Sequence, residues 1–386
     1  MSKVLGIVAE YNPFHNGHLY HLNESKKLTN SDFTIAIMSG NFVQRGEPAI
    51  VDKWTRAKMA IENGVDLVIE LPVKYAISSA ENFAFGATEI LNSLNIVDNI
   101  SFGTETGNLS FLQEIANILV EEPIEYKKLL SKELSTGISF PRARERALYL
   151  YLDKDLSDIT GSNNILAIEY LKSLNKLNSK ITPVTLERNS VHYNSNEIIN
   201  NIASATGIRK LIKENNFEQL KSVVPKNIYE YLINSELVFF DDFEKEIIYT
   251  LRKLTKENIA NLVDVSEGLE NRIKESASVT NKLSELISII KTKRYTETRI
   301  NRILLYALLG ITKGHINYAP TTHIHILGAN ENGKNLLSKI NPNLQIITSA
   351  KGFEDILEKE ILATNIYTLA YTNNSKANLD YTIFPF

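Results

Sequence analysis

Short apolar runs alternate with amphipathic stretches along the first part of the chain. The runs lie at Val4–Ala9, Phe33–Met38 and Val65–Leu71, with a shorter one at Ile100–Phe102. Between them, apolar residues recur at helical spacing, as they do in the stretch 17–28. A nearly unbroken apolar run is typical of a strand that is covered on both faces. The pattern therefore predicts an α/β fold with a Rossmann-like, doubly wound parallel sheet.

The pattern changes twice further along the chain. From about residue 203 to 310 it shows long helical stretches rich in Lys, Glu, Asn and Leu, and from His323 short strand-like and helical segments return. We therefore predict three parts: a sheet domain over residues 1–200, a helical domain over 201–312, and a small C-terminal α/β unit over 313–386. The sheet domain carries the motifs described below, so we expect it to be the catalytic part.

Composition narrows the possible functions less than the pattern does. Of the 386 residues, 43% are hydrophobic and 23% charged, and the formal net charge of −3 gives no overall basic field for nucleic acid. The absence of cysteine excludes disulfides, thiolate metal sites and cysteine nucleophiles. No apolar run approaches the ~20 residues of a membrane span, and no signal-peptide pattern is present. We expect a cytoplasmic protein with no membrane partner.

The first strand leads into a turn with candidate chemistry. Asn12-Pro13 ends the strand pattern, and His15, Gly17 and His18 follow where a helix can begin. At such a junction in α/β folds, helix N–H groups and the positive end of the helix dipole face a bound phosphate. Imidazoles there can donate to phosphate oxygens as negative charge develops. The alternative is a pair of turn histidines that only cap the helix.

Six longer segments carry a resemblance to a known family. They are the stretches 6–18, 38–49, 102–105, 137–144, 162–166 and 291–300. The first contains His-x-Gly-His directly after a strand and a turn, which resembles the nucleotidylyltransferase superfamily. Taken together and in this order, the segments resemble more closely the bacterial tRNA(Met) cytidine acetate ligases. The resemblance spans most of the chain and implies a Rossmann-like HxGH nucleotidyltransferase core that binds ATP.

The resemblance implies a two-step reaction. Enzymes of this family use ATP, with Mg²⁺ accompanying the triphosphate, to activate acetate as acetyl-adenylate with release of pyrophosphate. They then transfer the acetyl group to N4 of the wobble cytidine of elongator tRNA(Met). His15 and His18 would be catalytic, since they would steady the triphosphate under attack. We expect no dedicated metal site in the protein itself.

The resemblance also implies a set of ATP contacts. They are Ile7, Val8, Ala9, Glu10, Tyr11, Asn12, Pro13, Phe14, His15, Asn16, Gly17, His18, Gly103, Asn163, Asn164, Arg188 and Asn189. Two positions depart from the family pattern, because Asn189 stands where an apolar residue is expected and Ser162 where proline is. Three contacts have simpler alternatives: Gly103 can merely end a strand, Asn163 can merely cap a helix, and Arg188 can be a surface cation.

Two groups of charged residues near the first strands each have two possible roles. The loop 44–47 is either a lid or substrate contact, or an ordinary solvated loop. Lys53 and Arg56, on the helix that follows, either reach phosphates or are plain surface charges. His323 and His325 alternate along a strand pattern without an accompanying carboxylate cluster, so we do not interpret them as a metal site.

A basic stretch late in the helical part is the candidate RNA site. We predict tRNA contacts from Lys291, Lys293, Arg294, Tyr295, Arg299 and Arg302. Cations with an interleaved aromatic residue can hold phosphates and stack an unpaired base, as a single-stranded RNA loop requires. The alternative is a solvated helix face, which is the usual place for a run of charges.

Two other functions remain open on the sequence alone. One is adenylyl transfer to a small cofactor precursor, although such enzymes are typically shorter than this chain. The other is a non-catalytic RNA-binding protein with a nucleotide-sensing domain. Acetate-driven ATP–pyrophosphate exchange without RNA, and the activity of a His18→Ala variant, would separate these from the tRNA acetate ligase. The sequence leaves the oligomeric state open.

Overall fold

The computed structural model describes residues 2–138, 140–154, 161–187, 201–266, 268–373 and 376–385. The strands in these ranges are β1 (Val4–Ala9), β2 (Phe33–Ser39), β3 (Phe42–Val43), β4 (Glu47–Pro48), β5 (Leu67–Leu71), β6 (Asn99–Thr104), β7 (Thr182–Glu187), β8 (His323–Ala329) and β9 (Gln345–Ile347). The helices in these ranges are α1 (Asn16–Thr29), α2 (Lys53–Glu62), α3 (Val73–Ala76), α4 (Ala80–Ser93), α5 (Leu109–Glu121), α6 (Ile124–Ser135), α7 (Phe140–Leu152), α8 (Ser162–Lys176), α9 (Ala205–Lys213), α10 (Phe217–Val223), α11 (Lys226–Asn234), α12 (Glu244–Lys253), α13 (Lys256–Ala260), α14 (Leu269–Val279), α15 (Leu283–Ile290), α16 (Glu297–Leu309), α17 (Glu331–Leu337) and α18 (Glu358–Tyr367).

One sheet of seven strands organises the described part of the molecule, in the order β7-β6-β1-β2-β5-β8-β9. The first five strands in this order run parallel to one another. From β1 the chain adds β2 and β5 on one side and then returns to add β6 and β7 on the other. The carboxyl ends of β1 and β6 therefore form a topological switch point, where open α/β sheets bind ligands. The predicted doubly wound, mostly parallel sheet is confirmed.

The two faces of the sheet carry separate cores, as the unbroken apolar runs predict. Along β2, Ile35 and Ile37 point to one face and pack against α4, α5 and α8. Ala36 and Met38 point to the other face, which α1, α2 and α9 to α11 cover. Because side chains alternate along a strand, both sets are apolar when both faces are covered. This burial leaves the strand ends, rather than a sheet face, open for ligands.

A third core lies in the helical part of the chain. Helices α12 to α16 pack around their own apolar cluster, which also takes in Phe42 from β3 and Tyr367 from α18. By contrast, α9 to α11 cover the sheet. The helical region that we predicted over 201–312 is therefore divided in its packing between the sheet and a separate core. Residues 188–200, around its proposed start, lie outside the described ranges. The three-part division of the chain stays a prediction.

The C-terminal strands extend the main sheet. β8 pairs antiparallel with β5, and β9 pairs parallel with β8, so both belong to the seven-stranded sheet. We expected a small α/β unit here, and its elements are present, but the strands have no separate sheet. Because β8 runs antiparallel to β5, joining the two strands does not require the crossover connection that a parallel pair needs. β8 also covers the edge of β5, whose backbone groups would otherwise be unpaired. Among the described helices, none has the length and apolarity needed to cross a bilayer.

Candidate active site

The turn after β1 is held by its own side chains. Tyr11 has a φ of 46°, in the left-handed region, and the Asn12-Pro13 peptide bond is cis. The Asn12 side-chain oxygen accepts a hydrogen bond from the Ile50 backbone N–H at 2.7 Å. Phe14 is fully buried beside Tyr11, with 4.8 Å between the ring centroids. These contacts fix where α1 begins.

The two histidines of the motif stack at the start of α1. Their ring centroids lie 3.7 Å apart, with 26° between the planes. His15 is the N-cap of α1, and its Nδ1 accepts a hydrogen bond from the Gly17 N–H at 3.1 Å. A neutral His15 ring must then carry its proton on Nε2, because Nδ1 is the acceptor. His15 thus caps α1, and both histidines also line a cavity.

That cavity lies at the carboxyl ends of β1 and β6 and has a volume of about 420 Å³. The implied ATP contacts that line it are Ile7, Val8, Ala9, Glu10, Tyr11, Asn12, His15, Gly17, His18, Gly103 and Asn163. It thus combines the end of β1, the N-terminus of α1 and the start of α8. The structure places these predicted residues around one cavity, and their contact with ATP remains a prediction.

Four other implied ATP contacts do not line the cavity. Pro13 and Phe14 are buried behind the turn. Asn16 donates through Nδ2 to the carbonyl oxygens of Asn201 and Ser222, at 3.0 Å each. The structure therefore gives these residues a supporting place in the turn. Arg188 and Asn189 lie outside the described residues.

Asn164, the fourth of these residues, acts at the junction of β6 and α8. It is fully buried, and its Oδ1 accepts a hydrogen bond from the Glu105 N–H at 2.9 Å. The Glu105 carboxylate in turn accepts from the backbone N–H groups of Asn163 and Asn164, at 3.1 and 2.8 Å. An acidic side chain on a helix N-terminus also interacts favourably with the helix dipole. The pair Asn163-Asn164 thus joins the start of α8 to the end of β6.

Sequence reasoning missed more than half of the cavity wall. The missed residues are Tyr20, His21, Phe83, Ser101, Phe102, Leu166, Tyr170, Leu186, Glu187, Ile202, Ala203, Ser204 and Ala205. Only the polar Ser101 inside an apolar strand run gave a local signal. It lies 3.3 Å from His21 Nε2 through its hydroxyl. The apolar members resemble ordinary core residues in sequence, so nothing local distinguishes them.

Arg56 neither reaches a phosphate nor lies on the surface, so both of our interpretations are wrong. It is fully buried. Its guanidinium donates to the carbonyl oxygens of Glu10 at 2.7 Å, Ser39 at 3.0 Å and Val51 at 3.0 Å, and also to that of Gly40. Arg56 therefore ties the end of β1 to the end of β2, directly beneath the turn.

Replacing Arg56 by lysine is expected to lower the free energy of unfolding by about 2–4 kcal/mol. The ammonium keeps the charge but cannot satisfy all four carbonyls, and each buried group left unpaired costs about 1–3 kcal/mol. Urea unfolding followed by circular dichroism measures the difference. Arg142→Lys, at an exposed position on α7, is the control and should change stability by less than about 0.5 kcal/mol. An Arg56→Lys variant as stable as the wild type would contradict the assignment.

Lys53 is also fully buried, in a cluster of charged residues. Its ammonium contacts both Glu70 carboxylate oxygens at 2.9 Å and Asp380 Oδ1 at 2.6 Å. His325 Nδ1 lies 2.6 Å from Glu70 Oε2. Burial alone would raise the pKa of Glu70, but the Lys53 ammonium and His325 lower this pKa to about 2. Glu70, His325 and Asp380 are close enough to share a metal ion, yet a lysine cation already pairs with both carboxylates.

The loop 44–47 is the turn of the β3–β4 hairpin and is held on both sides. Gln44 donates its backbone N–H to Glu10 Oε1 at 2.8 Å and its side-chain amide to Ser78 O at 3.2 Å. Glu47 pairs with Arg209 on α9 at 3.0 Å. Gln44 also lines the cavity. Of our two interpretations, a substrate contact fits this placement, and a loosely solvated loop does not.

Internal contacts occupy much of the basic stretch. Arg302 forms an ion pair with Asp264 at 2.9 Å, and Arg299 donates to the Asp264 carbonyl at 2.7 Å. Lys291 pairs with Glu297 at 2.6 Å. Tyr295 is only 8% exposed, in the helical core. This placement leaves little of the Tyr295 ring accessible, so the base-stacking role that we predicted for it is not supported.

Three cations of the stretch, Lys291, Lys293 and Arg294, have exposed side chains, and Lys291 is the one that pairs with Glu297. The segment that follows them borders the β3–β4 hairpin: a Cβ added to Gly46, which has a φ of 78°, would clash with the Arg302 backbone nitrogen. The basic stretch is therefore connected to the cavity wall through the hairpin that carries Gln44. Its contact with RNA stays a prediction.

The chain matches known proteins over nearly its whole length. The sequence profile described as HIGH Nucleotidyl Transferase matches residues 2–381. A tRNA(Met) cytidine acetate ligase from Thermoanaerobacter sp. (strain X514) is 50% identical over 394 aligned residues, which cover 98% of each chain. A protein of the same name from Clostridium perfringens (strain SM101 / Type A) is 45% identical, with 99% of each chain covered.

Solved structures agree with the sequence matches. The apo crystal structure of Thermotoga maritima TmcAL superimposes with a TM-score of 0.95 at 35% identity, over 99% of each chain. The structure of the same protein bound with alpha-thio ATP gives a TM-score of 0.92, over 99% of this chain and 98% of that one. The chain therefore belongs to the HIGH nucleotidyl transferase family and, within it, to the family of the tRNA(Met) cytidine acetate ligases.

Proposed function

We propose that this protein is an ATP-dependent ligase that activates acetate as acetyl-adenylate and transfers the acetyl group to N4 of the wobble cytidine of elongator tRNA(Met). The observation that carries the proposal is the stacked pair His15 and His18, which lines a cavity at the switch point of the sheet. The related TmcAL that binds alpha-thio ATP supports ATP as the nucleotide. Because tRNA is the acceptor, we place the activity in the cytoplasm.

The cavity suits attack by a carboxylate on the α-phosphorus. This step needs positioning and charge stabilisation more than a protein nucleophile. The N-terminus of α1, a helix of 14 residues, supplies backbone N–H groups and the positive end of its dipole. His15 offers Nε2–H to a phosphate oxygen, since its Nδ1 is held by Gly17. Both features favour the charge that develops as pyrophosphate leaves.

Mg²⁺ would arrive with the triphosphate. In the described part of the chain, the carboxylates that line the cavity are Glu10 and Glu187. Glu10 follows the end of β1 and Glu187 is the last residue of β7, and these two strands are separated by β6 in the sheet order. Acids on two separate strands do not form a protein cage for a metal, and Mg²⁺ usually keeps several waters and binds mainly through substrate phosphates.

The test of the proposed function is incubation of the protein with ATP, labelled acetate and elongator tRNA(Met). Label should appear in N4-acetylcytidine, and omission of ATP should abolish it. A folded preparation that incorporates no label into the tRNA would contradict the proposal. Acetate-dependent ATP–pyrophosphate exchange without any transfer to tRNA would instead point to adenylyl transfer onto a small acid.

For the RNA end of the reaction, the exposed pair Lys293 and Arg294 gives a specific expectation. Replacing both by alanine should weaken tRNA binding and reduce the slope of log K against log salt concentration by about 2, because each cation bound to a phosphate accounts for roughly one unit of that slope. Binding is measured by filter retention over a salt series. The matched control replaces Lys127 and Lys128, two exposed cations on α6. If the two double variants bind tRNA alike, the pair is only a solvated surface.

A further inference from the structure

Glu10 is a carboxylate that the structure fixes at the cavity with both its side chain and its main chain. It follows the last residue of β1, lines the cavity and is partly exposed. Its Oε1 accepts the Gln44 backbone N–H at 2.8 Å. Its carbonyl oxygen accepts from the buried Arg56 guanidinium at 2.7 Å. A side chain held in this way at a strand end is preorganised for chemistry, because neither group must reorient.

The charges around Glu10 come from four elements, and α2 supplies one of them through the Arg56 guanidinium. Arg45 and Glu47 lie in and beside the β3–β4 turn, and Arg209 lies on α9, where it pairs with Glu47 and donates to the Asn12 carbonyl at 3.0 Å. On the α1 side, the cavity presents His15 and His18. Burial raises the pKa of Glu10 above its ordinary value, against the lowering effects of the Gln44 N–H, Arg45 and Arg209. Near neutral pH, a carboxylate of this kind is a better proton acceptor than a solvated glutamate.

The second step of the proposed reaction requires such an acceptor. The cytidine N4 amine attacks the acetyl carbonyl of acetyl-adenylate, an N–C bond forms, and the C–O bond to AMP breaks. AMP leaves with the electron pair of that bond, and the attacking nitrogen must lose one proton. The attacking nitrogen becomes positively charged as the N–C bond forms, so a carboxylate inside the cavity can both stabilise that charge and take the proton.

We propose that Glu10 is this acceptor: its carboxylate takes the proton from the amine nucleophile during acetyl transfer to the tRNA. This proposal rests on the proposed function and adds a residue to its second step. Glu187, the other acid on the cavity wall among the described residues, lies on β7 at the edge of the sheet, two strands from β1. His15 is less suited, because its Nδ1 already accepts the Gly17 N–H, which leaves a neutral ring with its proton on Nε2 and no free acceptor nitrogen.

Glu10→Gln tests the proposal, since glutamine keeps the acceptor for the Gln44 N–H and removes the base. Two rates are measured: acetate-dependent ATP–pyrophosphate exchange, and single-turnover transfer from enzyme-bound acetyl-adenylate to tRNA. The ratio of transfer to exchange should fall by about a hundredfold or more, because a positioned base contributes about 10²–10⁴ in rate. Glu24→Gln, which removes a partly exposed acid on α1 that does not line the cavity, is the control and should leave the ratio unchanged.

The pH profile distinguishes a base from a structural residue. In the wild type, transfer should slow as the pH falls through the pKa of Glu10, because the protonated carboxyl cannot accept a proton, and Glu10→Gln should lack this limb. An unchanged ratio would overturn the proposal. A Glu10→Gln variant that loses exchange and transfer equally, or that needs more Mg²⁺ for exchange, would overturn it too, since Glu10 would then serve ATP. A wild-type protein that never labels tRNA would instead refute the proposed function.

Discussion

Replacing His18 by alanine is expected to slow acetate-dependent ATP–pyrophosphate exchange at least about a hundredfold. The imidazole stands over the cavity, stacked on His15 at 3.7 Å and set edge-on to Tyr11 at 5.0 Å between ring centroids. These contacts hold it in place before substrate arrives, so its contribution to charge stabilisation requires no reorganisation. The loss of one preorganised donor typically costs about 10²–10³ in rate.

The effect should be confined to the first step of the reaction. Affinity for tRNA should stay within about twofold of the wild type, because the exposed cations of the basic stretch are untouched. His315→Ala is the matched control: this histidine contacts Thr312 and does not line the cavity, so exchange should continue at the wild-type rate. A His18→Ala variant that is folded and exchanges normally would show that the histidine pair is only a helix cap.

The sequence predicted the centre of the site well, because that part of the site is local. Strand, turn and helix start lie within residues 4–18, and their order along the chain fixes their order in space. The strand predicted at Val4–Ala9 has those bounds in the structure. His15, Gly17 and His18 then reach the cavity through the geometry of a single turn. Such a motif needs no knowledge of distant contacts.

Outside Gln44 and the positions that the family resemblance supplied, such as Gly103 and Asn163, the rest of the site could not be predicted, because it depends on contacts between distant segments. Phe83, Tyr170 and Ala203 line one cavity although they are far apart in sequence. An apolar residue on a helix has the same pattern whether it faces a core or a ligand. The basic stretch shows the same limit: counting charges gave five candidate RNA-binding cations, whereas Asp264 holds two of the arginines.

Buried charge misled the sequence-based reasoning most directly. Lysine and arginine are almost never fully buried unless they are paired, so a surface or ligand-binding place was expected for Lys53 and Arg56. The partners of Lys53 come from distant parts of the chain: Glu70 lies on β5, and Asp380 lies 327 residues further along the sequence. Arg56 is instead satisfied by main-chain carbonyls, which leave no mark in a sequence. His325, on β8, belongs to the same cluster and contacts the Glu70 carboxylate, although no carboxylate lies near it in the sequence.

Replacing Lys53 by methionine is expected to lower the free energy of unfolding by about 3–5 kcal/mol. The variant leaves Glu70 and Asp380 buried without their cation, and removal of one partner from a buried ion pair costs about this much. The cluster also joins α2, β5, β8 and the C-terminal segment, so that segment should detach first. Urea unfolding at neutral pH measures the loss, and limited proteolysis reports cleavage near residue 380.

Two controls make this expectation specific to the buried charges. Lys27→Met removes an exposed ion pair with Glu24 and should change stability by less than about 1 kcal/mol. Adding Glu70→Gln to Lys53→Met removes one of the two buried acids that have lost the lysine cation, so the double variant should be more stable than Lys53→Met alone. If Lys53→Met were as stable as Lys27→Met, the two carboxylates would have to be protonated already, and the cluster would not hold a charged lysine.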